Sequence, residues 1–282
     1  MPATPIDALS ALQADGVTKA KLAMAWAEVI ERVQAQTLSQ QIKNSNYDGI
    51  PVRYGTIHVP RLQMSVLKTY GTARAAQAGD KIKNGGVDIK IDKDREIVEE
   101  IEYKDMNMLG IVDVLSKRQN DHVLSIQSEL ESAYFLELQT VAQTIDVSLG
   151  ATTQDKVALL IQSLEKVQNQ YVNKVPRTMM IMTLAPKWYD DLKKYIVTLQ
   201  NPSGQTVAYY NGVEVAMAVF QGVDAVIQAR GSITQPLVWT EYFLERIPLS
   251  MANATEAFIT YGTKAVTPDL CMKAAFDADI SA

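Results

Sequence analysis

The sequence contains few of the residues from which metal and catalytic sites are usually built. Its 282 residues include one cysteine and two histidines. Because Cys271 is alone, neither an intramolecular disulfide nor a multi-cysteine metal site can form within the chain. His58 and His122 lie far apart and have no cysteine beside them, so the sequence predicts neither a zinc site nor a histidine-based triad. His58 alternates with Ile57 and Val59, a pattern that favours a solvated strand face.

Long apolar runs and a surplus of basic residues are also missing. No stretch of about eighteen apolar residues occurs, so no membrane-spanning helix is predicted. The N-terminus, MPATPIDALSALQADG, has no basic head followed by an apolar run, and we therefore expect no signal peptide. The net charge of −5 gives no general basic surface for nucleic acid. The composition is typical of a soluble globular protein, and the lone cysteine fits a reducing cytoplasm.

Acidic residues are concentrated in one segment. They are Asp92, Asp94, Glu96, Glu99, Glu100, Glu102 and Asp105. Acid–base catalysis needs carboxylates in different environments within a pocket, whereas these are interleaved with Lys93, Arg95 and Lys104. We interpret them as a solvated or subunit-contacting face. The Gly-rich stretch Gly79–Gly86 lacks the Gly-Lys-Ser/Thr end of a phosphate-binding loop. We therefore predict no enzyme and no catalytic, cofactor-binding or metal-binding residues.

What the sequence does contain is a long helix. The stretch from Asp113 to Thr144 has no Gly and no Pro. Apolar residues recur in it at three- and four-residue steps, the period of one helix face. They are Leu115, Val123, Ile126, Leu130, Ala133, Tyr134, Leu138, Val141 and Ile145. Such a helix is about 45 Å long at 1.5 Å per residue, close to the expected diameter of the molecule, about 50 Å. We interpret it as the spine of an elongated subunit.

The segments before this helix predict parts that cannot bury all their apolar surface alone. Two short helices form an N-terminal arm, the first from Thr4 to Gly16 and the second from Thr18 to about Gln36. The second has an apolar face that must lie against its own subunit or a neighbour. Its residues are Leu22, Trp26, Val29, Ile30 and Val33.

A long excursion follows the arm, from about Gly55 to Asp105. Alternating residues predict strands at Arg53–Leu62 and Val87–Asp92, joined through a Gly-rich tip at Gly71–Gly86. Arg74, Lys81 and Lys83 make this tip mildly basic. Because a two-stranded ribbon has too little apolar surface for independent stability, we expect it to rest on another copy of the chain.

After the long helix the sequence predicts a compact unit of helices and strands. Thr152 and Asp155 have the spacing of a capping box, which begins a helix that we expect to reach about Asn173. Thr178–Leu184 is continuously apolar, as in a strand covered on both faces. Pro186 begins another helix, and we expect four of its residues to face inward: Trp188, Leu192, Ile196 and Leu199.

The rest of the chain reads mostly as strands. Asn211-Gly212 separates two strand-like runs and predicts a hairpin, because both positions of its turn require positive φ. Further strands are predicted at Val223–Ala229, Leu237–Phe243 and Ala257–Tyr261. The whole chain is therefore expected to be an α+β protein.

This order of parts resembles the major capsid proteins of tailed phages, whose Hong Kong ninety-seven fold is shared with encapsulin shells. The acidic strand VDIKIDKDREIVEEIEYKD and the segment TMMIMTLAPKWYDDLKKYI carry much of the likeness. The second contains an apolar strand that runs into Pro-x-x-Tyr and a helix at Ala185–Leu192. The resemblance covers nearly the whole chain.

The resemblance implies a division of the chain and a set of partners. The parts are an N-terminal arm (1–52), an extended loop with flanking strands (53–105), the spine helix of a peripheral domain (106–149), an axial domain (150–225) and return strands to the peripheral domain (226–282). Hexamers and pentamers of this structural protein would build an icosahedral shell around double-stranded DNA, held by non-specific contact, without a membrane. A portal and a scaffolding or decoration protein are further implied partners. The location would be the virion, assembled in the cytoplasm of a bacterial host.

Three other classes stay open at this point. An encapsulin-like protein nanocompartment has the same fold, and the contents of purified particles would separate it from a capsid. Another virion structural protein, such as a tail or connector subunit, would form rings or tubes. An enzyme would have a deep pocket that holds an acid or base with a shifted pKa.

Overall fold

The computed structural model describes residues 16–48, 55–65, 67, 69–71, 85–102, 111–200, 206–220, 222–240, 243–246 and 252–276. The helices are α1 (Gly16–Gln36), α2 (Leu38–Ile42), α3 (Ile111–Val141), α4 (Thr153–Glu165) and α5 (Pro186–Leu192). Single turns of 3-10 helix lie at Ser45–Tyr47, Arg177–Met179, Lys193–Tyr195 and Pro268–Leu270. The strands are β1 (Thr56–Val59), β2 (Val87–Lys90), β3 (Lys93–Glu102), β4 (Gln143–Thr144), β5 (Met180–Leu184), β6 (Val197–Gln200), β7 (Thr206–Tyr210), β8 (Val213–Met217), β9 (Ala225–Ala229), β10 (Ile233–Thr234), β11 (Leu237–Trp239), β12 (Phe243–Arg246), β13 (Ala252–Tyr261), β14 (Lys264–Ala265) and β15 (Cys271–Ala274).

The 31-residue helix α3 connects two cores, which agrees with its predicted role as a spine. Its first half buries Val123, Ile126 and Leu130 against α1 and one sheet. Its second half buries Tyr134 and Leu138 against a larger sheet. The apolar period that is visible in the sequence therefore continues from one core to the next along a single helix.

The smaller sheet is organised around β13. Strand β3 pairs with β13 along its whole length, from Lys93 opposite Tyr261 to Glu102 opposite Ala252, so the acidic segment belongs to this sheet rather than to the loop ribbon. Strands β11 and β12 share the other edge of β13.

The prediction of one strand from Leu237 to Phe243 is wrong, because this segment is divided between β11 and β12. Trp239 pairs with Ile259, whereas Phe243 pairs with Glu256. From Trp239 to Phe243 the chain advances four residues, whereas the paired residues on β13 are only three apart. The register therefore changes by one residue, and this change requires a break in the pairing.

The larger sheet has seven strands in the order β4-β15-β9-β5-β8-β7-β6. Every residue of β5 and β9 is buried. Met182 and Ile227 face the core under α4 and α5, while Ile181 and Val226 face α3. The prediction of a strand covered on both faces is confirmed for Met180–Leu184, but it is wrong for Thr178 and Met179, which are exposed in a turn of 3-10 helix.

This sheet does not end where the predicted axial domain ends. The boundary at residue 225 falls at the first residue of β9, one of the two fully buried strands. Strand β15 also joins this sheet, next to β9, although it lies in the predicted return segment 226–282. Residues on both sides of position 225 are therefore hydrogen-bonded within one sheet.

Local sequence signals predict correctly where helices begin but not where they end. The capping box of α4 forms, with the Thr152 hydroxyl and the Asp155 carboxylate satisfying each other's backbone N–H groups. The helix ends at Glu165, not near Asn173. Asn169 accepts hydrogen bonds from the N–H groups of Tyr171 and Val172, and this side-chain turn competes with continuation of the helix.

The helix that begins at Pro186 is also shorter than predicted. It ends at Leu192, and after a turn of 3-10 helix the chain enters β6. Trp188 and Leu192 are buried as expected, but Leu199 is 56% exposed. The prediction for Leu199 is wrong because the β-branched residues Val197 and Thr198 favour a strand over continued helix.

The described part of the N-terminal arm packs on its own subunit. Trp26, Val29 and Val33 of α1 are buried in the core of α3 and the smaller sheet. Beyond α2, the Lys43 ammonium is buried and donates to Asp48 at 2.7 Å and to the carbonyl of Gln235 at 3.0 Å. Burial lowers the pKa of Lys43, and Asp48 offsets part of this effect. The predicted first helix lies outside the described residues.

Candidate functional site

The base of the extended loop is an antiparallel pair of strands with an apolar side. Strands β1 and β2 pair from Thr56 opposite Lys90 to Val59 opposite Val87. The buried residues there are Ile57, Val59, Ile89 and Ile91, together with Val266. The expectation that another copy covers the ribbon is therefore wrong for its base, because the same subunit provides the contact. Arg74, Lys81 and Lys83 of the predicted tip lie outside the described residues.

Beyond this base the outgoing arm of the loop exposes large apolar residues. Leu62 is 59%, Met64 44%, Leu67 99% and Tyr70 88% exposed. Large apolar side chains are common on surfaces one at a time, but a series along one extended segment is typical of a surface that a partner covers. Leu62, Met64, Leu67 and Tyr70 are the first candidate assembly surface, here called the loop-arm surface.

A second exposed apolar surface lies at the edge of the larger sheet. Tyr195, Val197 and Leu199 are each more than half exposed, and their two-residue spacing places Val197 and Leu199 on one face of β6. In the described part of the chain β6 pairs with β7 alone. From Ile196 to Val213 the sequence contains no charged residue. We call this edge, with Tyr195, the β6 surface.

A groove of about 550 Å³ lies between α3 and the end of β8. Ser128, Ser132 and Leu136 line its helical side, and Met217 and Val219 line the opposite side. Leu136, Met217 and Val219 are each more than half exposed. The lining is mixed, because Glu131 and Gln139 join the two serines. The Glu131 carboxylate already accepts a hydrogen bond from the Leu38 N–H at 2.8 Å, so the groove favours contact with a protein surface over catalysis.

The two histidines have structural positions. His58 is on a solvated face, as predicted, with Nδ1 2.7 Å from the Asp88 carboxylate across the β1–β2 pair. His122 on α3 lies with Nε2 3.0 Å from Glu99 of β3. The structure therefore does not bring the two histidines into one site.

Glu99 is the member of the acidic segment with a clearly shifted pKa. Burial raises the pKa of Glu99, but hydrogen bonds and charges from Arg118 and His122 outweigh burial, so the pKa lies below its ordinary value. The Arg118 guanidinium is 2.7 Å from the Glu99 carboxylate. This carboxylate ties β3 to α3 within the subunit. An ionised, ion-paired carboxylate is a poor general base at neutral pH.

The described residues show neither a metal cluster nor a membrane-spanning helix. Among the residues described, no group of three or more His, Cys, Asp or Glu could hold a metal ion. No helix within the described ranges is long and apolar enough to cross a membrane. Cys271 is buried, and burial raises the pKa of its thiol to about 12, so the thiol is protonated at neutral pH and unreactive.

The fold is shared with solved phage and capsid structures. The chain is similar to a structure from Mycobacterium phage Che8, with 16% identity and a TM-score of 0.61 over 85% of this chain and 91% of that one. It is similar to the capsid of an empty GTA particle, with 10% identity and a TM-score of 0.59 over 86% and 90%. It is also similar to a virus-like particle from Pyrococcus furiosus, with 12% identity and a TM-score of 0.53 over 89% and 98%.

No protein-family model matches the chain, and no curated protein matches it. The structural likeness nevertheless spans most of the chain in each of the three cases. The chain therefore has the tailed-phage capsid fold, the Hong Kong ninety-seven fold, as the order of its segments predicted.

Proposed function

We propose that this protein is a major capsid protein, a structural subunit that assembles in many copies into an icosahedral shell around double-stranded DNA. The observation that carries the proposal is the likeness of fold over 86% of the chain to a structure that is itself a capsid. The exposed apolar surfaces agree with it, because the subunit leaves apolar area that only another molecule would cover. We infer a structural rather than an enzymatic role.

The charge-free hairpin of β6 and β7 supports a position near a rotation axis. At such an axis every residue approaches its own copies, so a charged side chain there would face like charges. The segment from Ile196 to Val213 carries none, although 21% of the chain is charged. We propose that the larger sheet, with α4 and α5, is the axial unit, which clusters in pentamers and hexamers. The α3 helix and the smaller sheet would form the peripheral unit.

The partners follow from this role. Other copies of the chain would cover the loop-arm surface and the β6 surface, over interfaces of the obligate class, above about 2,000 Å² per pair. A portal, a scaffolding or decoration protein and non-specifically bound DNA complete the proposed set. The protein would be assembled in the cytoplasm of a bacterial host and would reside in the virion.

Electron microscopy of the purified full-length protein tests the proposal. We expect closed shells of uniform diameter. Replacing Leu67 and Tyr70 by Glu should abolish these shells and leave folded, unassembled subunits, since both side chains are exposed in the subunit. Thr69→Glu adds a negative charge to the same arm without removing an apolar group, and this control should still assemble. Monomers under every assembly condition, or rings and tubes instead of shells, would contradict the proposal.

A second candidate function is an encapsulin-like protein nanocompartment. The likeness to the virus-like particle from Pyrococcus furiosus, over 89% of this chain, favours it. Both candidates predict closed shells, so the contents decide between them. Protected double-stranded DNA in particles from an infected host supports the capsid, whereas a co-purified enzyme supports the nanocompartment.

A further inference from the structure

The outgoing arm of the extended loop is held through hydrogen bonds from Gln63 and Met64 to Gln170 and, just after β1, through the side chain of Arg61. Its guanidinium lies 2.7 Å from the carboxylate of Asp269, in the 3-10 turn before β15. The central carbon of this guanidinium lies 4.1 Å from the ring centre of Tyr171, in the connection between α4 and β5. The Arg61 side chain is only 13% exposed. One planar group is therefore held between two connections of the larger sheet unit, and we call this arrangement the Arg61 clasp.

Neighbouring groups hold the partners of Arg61 in place. The Asn169 amide donates a hydrogen bond to Asp269, while its oxygen accepts from the N–H of Tyr171 at 2.8 Å. Asn169 therefore fixes both walls of the clasp. Burial raises the pKa of Asp269, but the bonds from Arg61 and Asn169 and the Arg61 charge outweigh burial, so the pKa lies below its ordinary value. The carboxylate is thus ionised and paired at neutral pH.

The two arms of the loop are joined at the same level. The N–H of Gly85 on the returning arm donates to the carbonyl of Arg61 at 2.9 Å. At Gly86 an added Cβ would lie 2.7 Å from the Val59 carbonyl oxygen. This distance is too short for non-bonded atoms, so the close approach of the two arms requires glycine here. Because the returning arm is tied to the outgoing one, the position of Arg61 fixes both.

The apolar loop-arm surface begins directly after the clasp. The N–H of Met64 donates to the carbonyl of Gln170 at 3.1 Å, and Leu67 is then almost wholly exposed. Met64 therefore adds a backbone hydrogen bond between the loop and the α4–β5 connection. Residues 61–64 set the point from which the arm continues toward Leu67 and Tyr70.

We propose that Arg61 is the positioning residue of the extended loop, and that the Arg61 clasp fixes the direction in which the loop leaves the larger sheet unit. This inference rests on the proposed function, because the direction matters when a second copy must meet the loop-arm surface. Arginine suits the task because its flat guanidinium can stack on a ring and bridge a carboxylate at once, which the lysine ammonium cannot do.

Distances between two spin labels on unassembled full-length subunits test the clasp. One label is placed at Thr69→Cys in the loop arm and the other at Gln162→Cys on the exposed face of α4. The buried Cys271 stays unlabelled. The parent protein should give one narrow distance distribution. In Arg61→Ala the population at that distance should fall about tenfold relative to other distances, the ratio expected when a buried charge-assisted contact is lost.

Two further variants make the result specific. Arg61→Lys keeps the positive charge but loses the flat guanidinium, so the population at the parent distance should fall several-fold. If Arg61→Ala does not fold, Arg61→Lys tests whether Arg61 positions the loop. Arg177→Ala removes an exposed ion pair with Glu165 in the same region, and its distribution should match the parent. An unchanged distribution in a folded Arg61 variant overturns the proposal.

The assembly of the same variants separates this inference from the proposed function. We expect the parent chain to form uniform shells and Arg61→Ala to form irregular or open particles. If the parent forms shells and Arg61→Ala forms identical ones, the clasp does not position the loop for assembly and the capsid function stands. If the parent forms no shells, the capsid function fails, while the distance measurement still decides whether Arg61 holds the loop.

Discussion

Strands β9 and β6 belong to one sheet but differ completely in burial. Every residue of β9 is buried, whereas every residue of β6 is exposed. Both contain large apolar residues, four of five positions being apolar in AVIQA and two of four in VTLQ. The apolar residues Val197 and Leu199 are exposed because of their position in the sheet. The centre of the sheet is covered by helices of the same subunit, whereas the edge is left exposed.

This difference separates residues that stabilise the subunit from residues that serve assembly. Removing apolar atoms from β9 leaves a cavity in a closed core. Removing them from β6 changes a solvated surface and costs little in the isolated subunit. Substitutions in the two strands should therefore differ in their effect on the free energy of unfolding of the isolated subunit.

The largest effect is expected for Ile227→Ala in β9. Ile227 is fully buried among residues of the core beneath α4 and α5, so the truncation should lower the free energy of unfolding by about 2–5 kcal/mol. Denaturant titration of the subunit measures it. Val197→Ala in β6 is the matched control, with an expected change below about 0.5 kcal/mol. Equal losses for the two variants would mean that the edge strand is covered within the subunit.

The turn of the β7–β8 hairpin should give the next largest effect. Gly212 has φ +83°, a conformation that disfavours a residue with a Cβ by about 1–2 kcal/mol. Gly212→Ala should lower the free energy of unfolding by that amount. Gly212→Asn should cost less, because Asn tolerates this conformation. Urea unfolding of both variants compares them, and a neutral Gly212→Ala would show that the turn adjusts.

A smaller effect is expected at Glu99, where the acidic segment meets α3. Glu99→Gln removes an ionic contact with the half-exposed Arg118 and should cost about 1 kcal/mol at pH 7. The pKa of Glu99 is lowered by folding, so the unfolded chain binds the proton first. The stabilisation by the ionised Glu99 is therefore present above the ordinary pKa of a glutamate, about 4.3. It is lost as the pH falls through the lower pKa that Glu99 has in the folded protein.

Unfolding of the parent and Glu99→Gln across pH 2 to 7 checks this dependence. The difference between them should shrink toward acid. Glu100→Gln, on the other face of β3, is the control and should change stability by less than about 0.5 kcal/mol at any pH. A difference that persists at the acid end would assign the effect to packing rather than charge.

Local signals in the sequence were sufficient for much of the fold. The period of α3, the capping box at Thr152 and the Asn211-Gly212 turn each depend on residues close together in the chain. The Hong Kong ninety-seven fold was predicted from the resemblance of the whole order of segments to tailed-phage capsid proteins. What they could not give is where a neighbouring strand lies. Leu199 fits a helical period after Trp188 and Leu192, yet it lies on an edge strand.

The contacts that organise the candidate site are long-range. Arg61, Tyr171 and Asp269 are brought together by the fold, and no spacing in the sequence relates them. Their only local sign is that an arginine follows an alternating strand. The exposed residues Leu67 and Tyr70 were likewise not recognised, because a sequence does not distinguish an apolar residue that is buried from one left uncovered. That distinction requires the tertiary structure.

The smallest effect on the isolated subunit is expected for Leu199→Lys in β6. This variant tests most directly whether the exposed face of β6, unlike buried β9, serves assembly. Leu199 is already 56% exposed, so the lysine can extend into water and the free energy of unfolding should change by less than about 0.5 kcal/mol. In an assembled shell the same lysine would stand near identical lysines of other copies, where like charges repel. Sedimentation should therefore show normal subunits and few or no shells. Gln162→Lys places a lysine on the exposed face of α4, outside the charge-free segment 196–213, and should assemble. If both variants assemble equally well, the apolar face of β6 is not buried between copies, and its exposure has another cause.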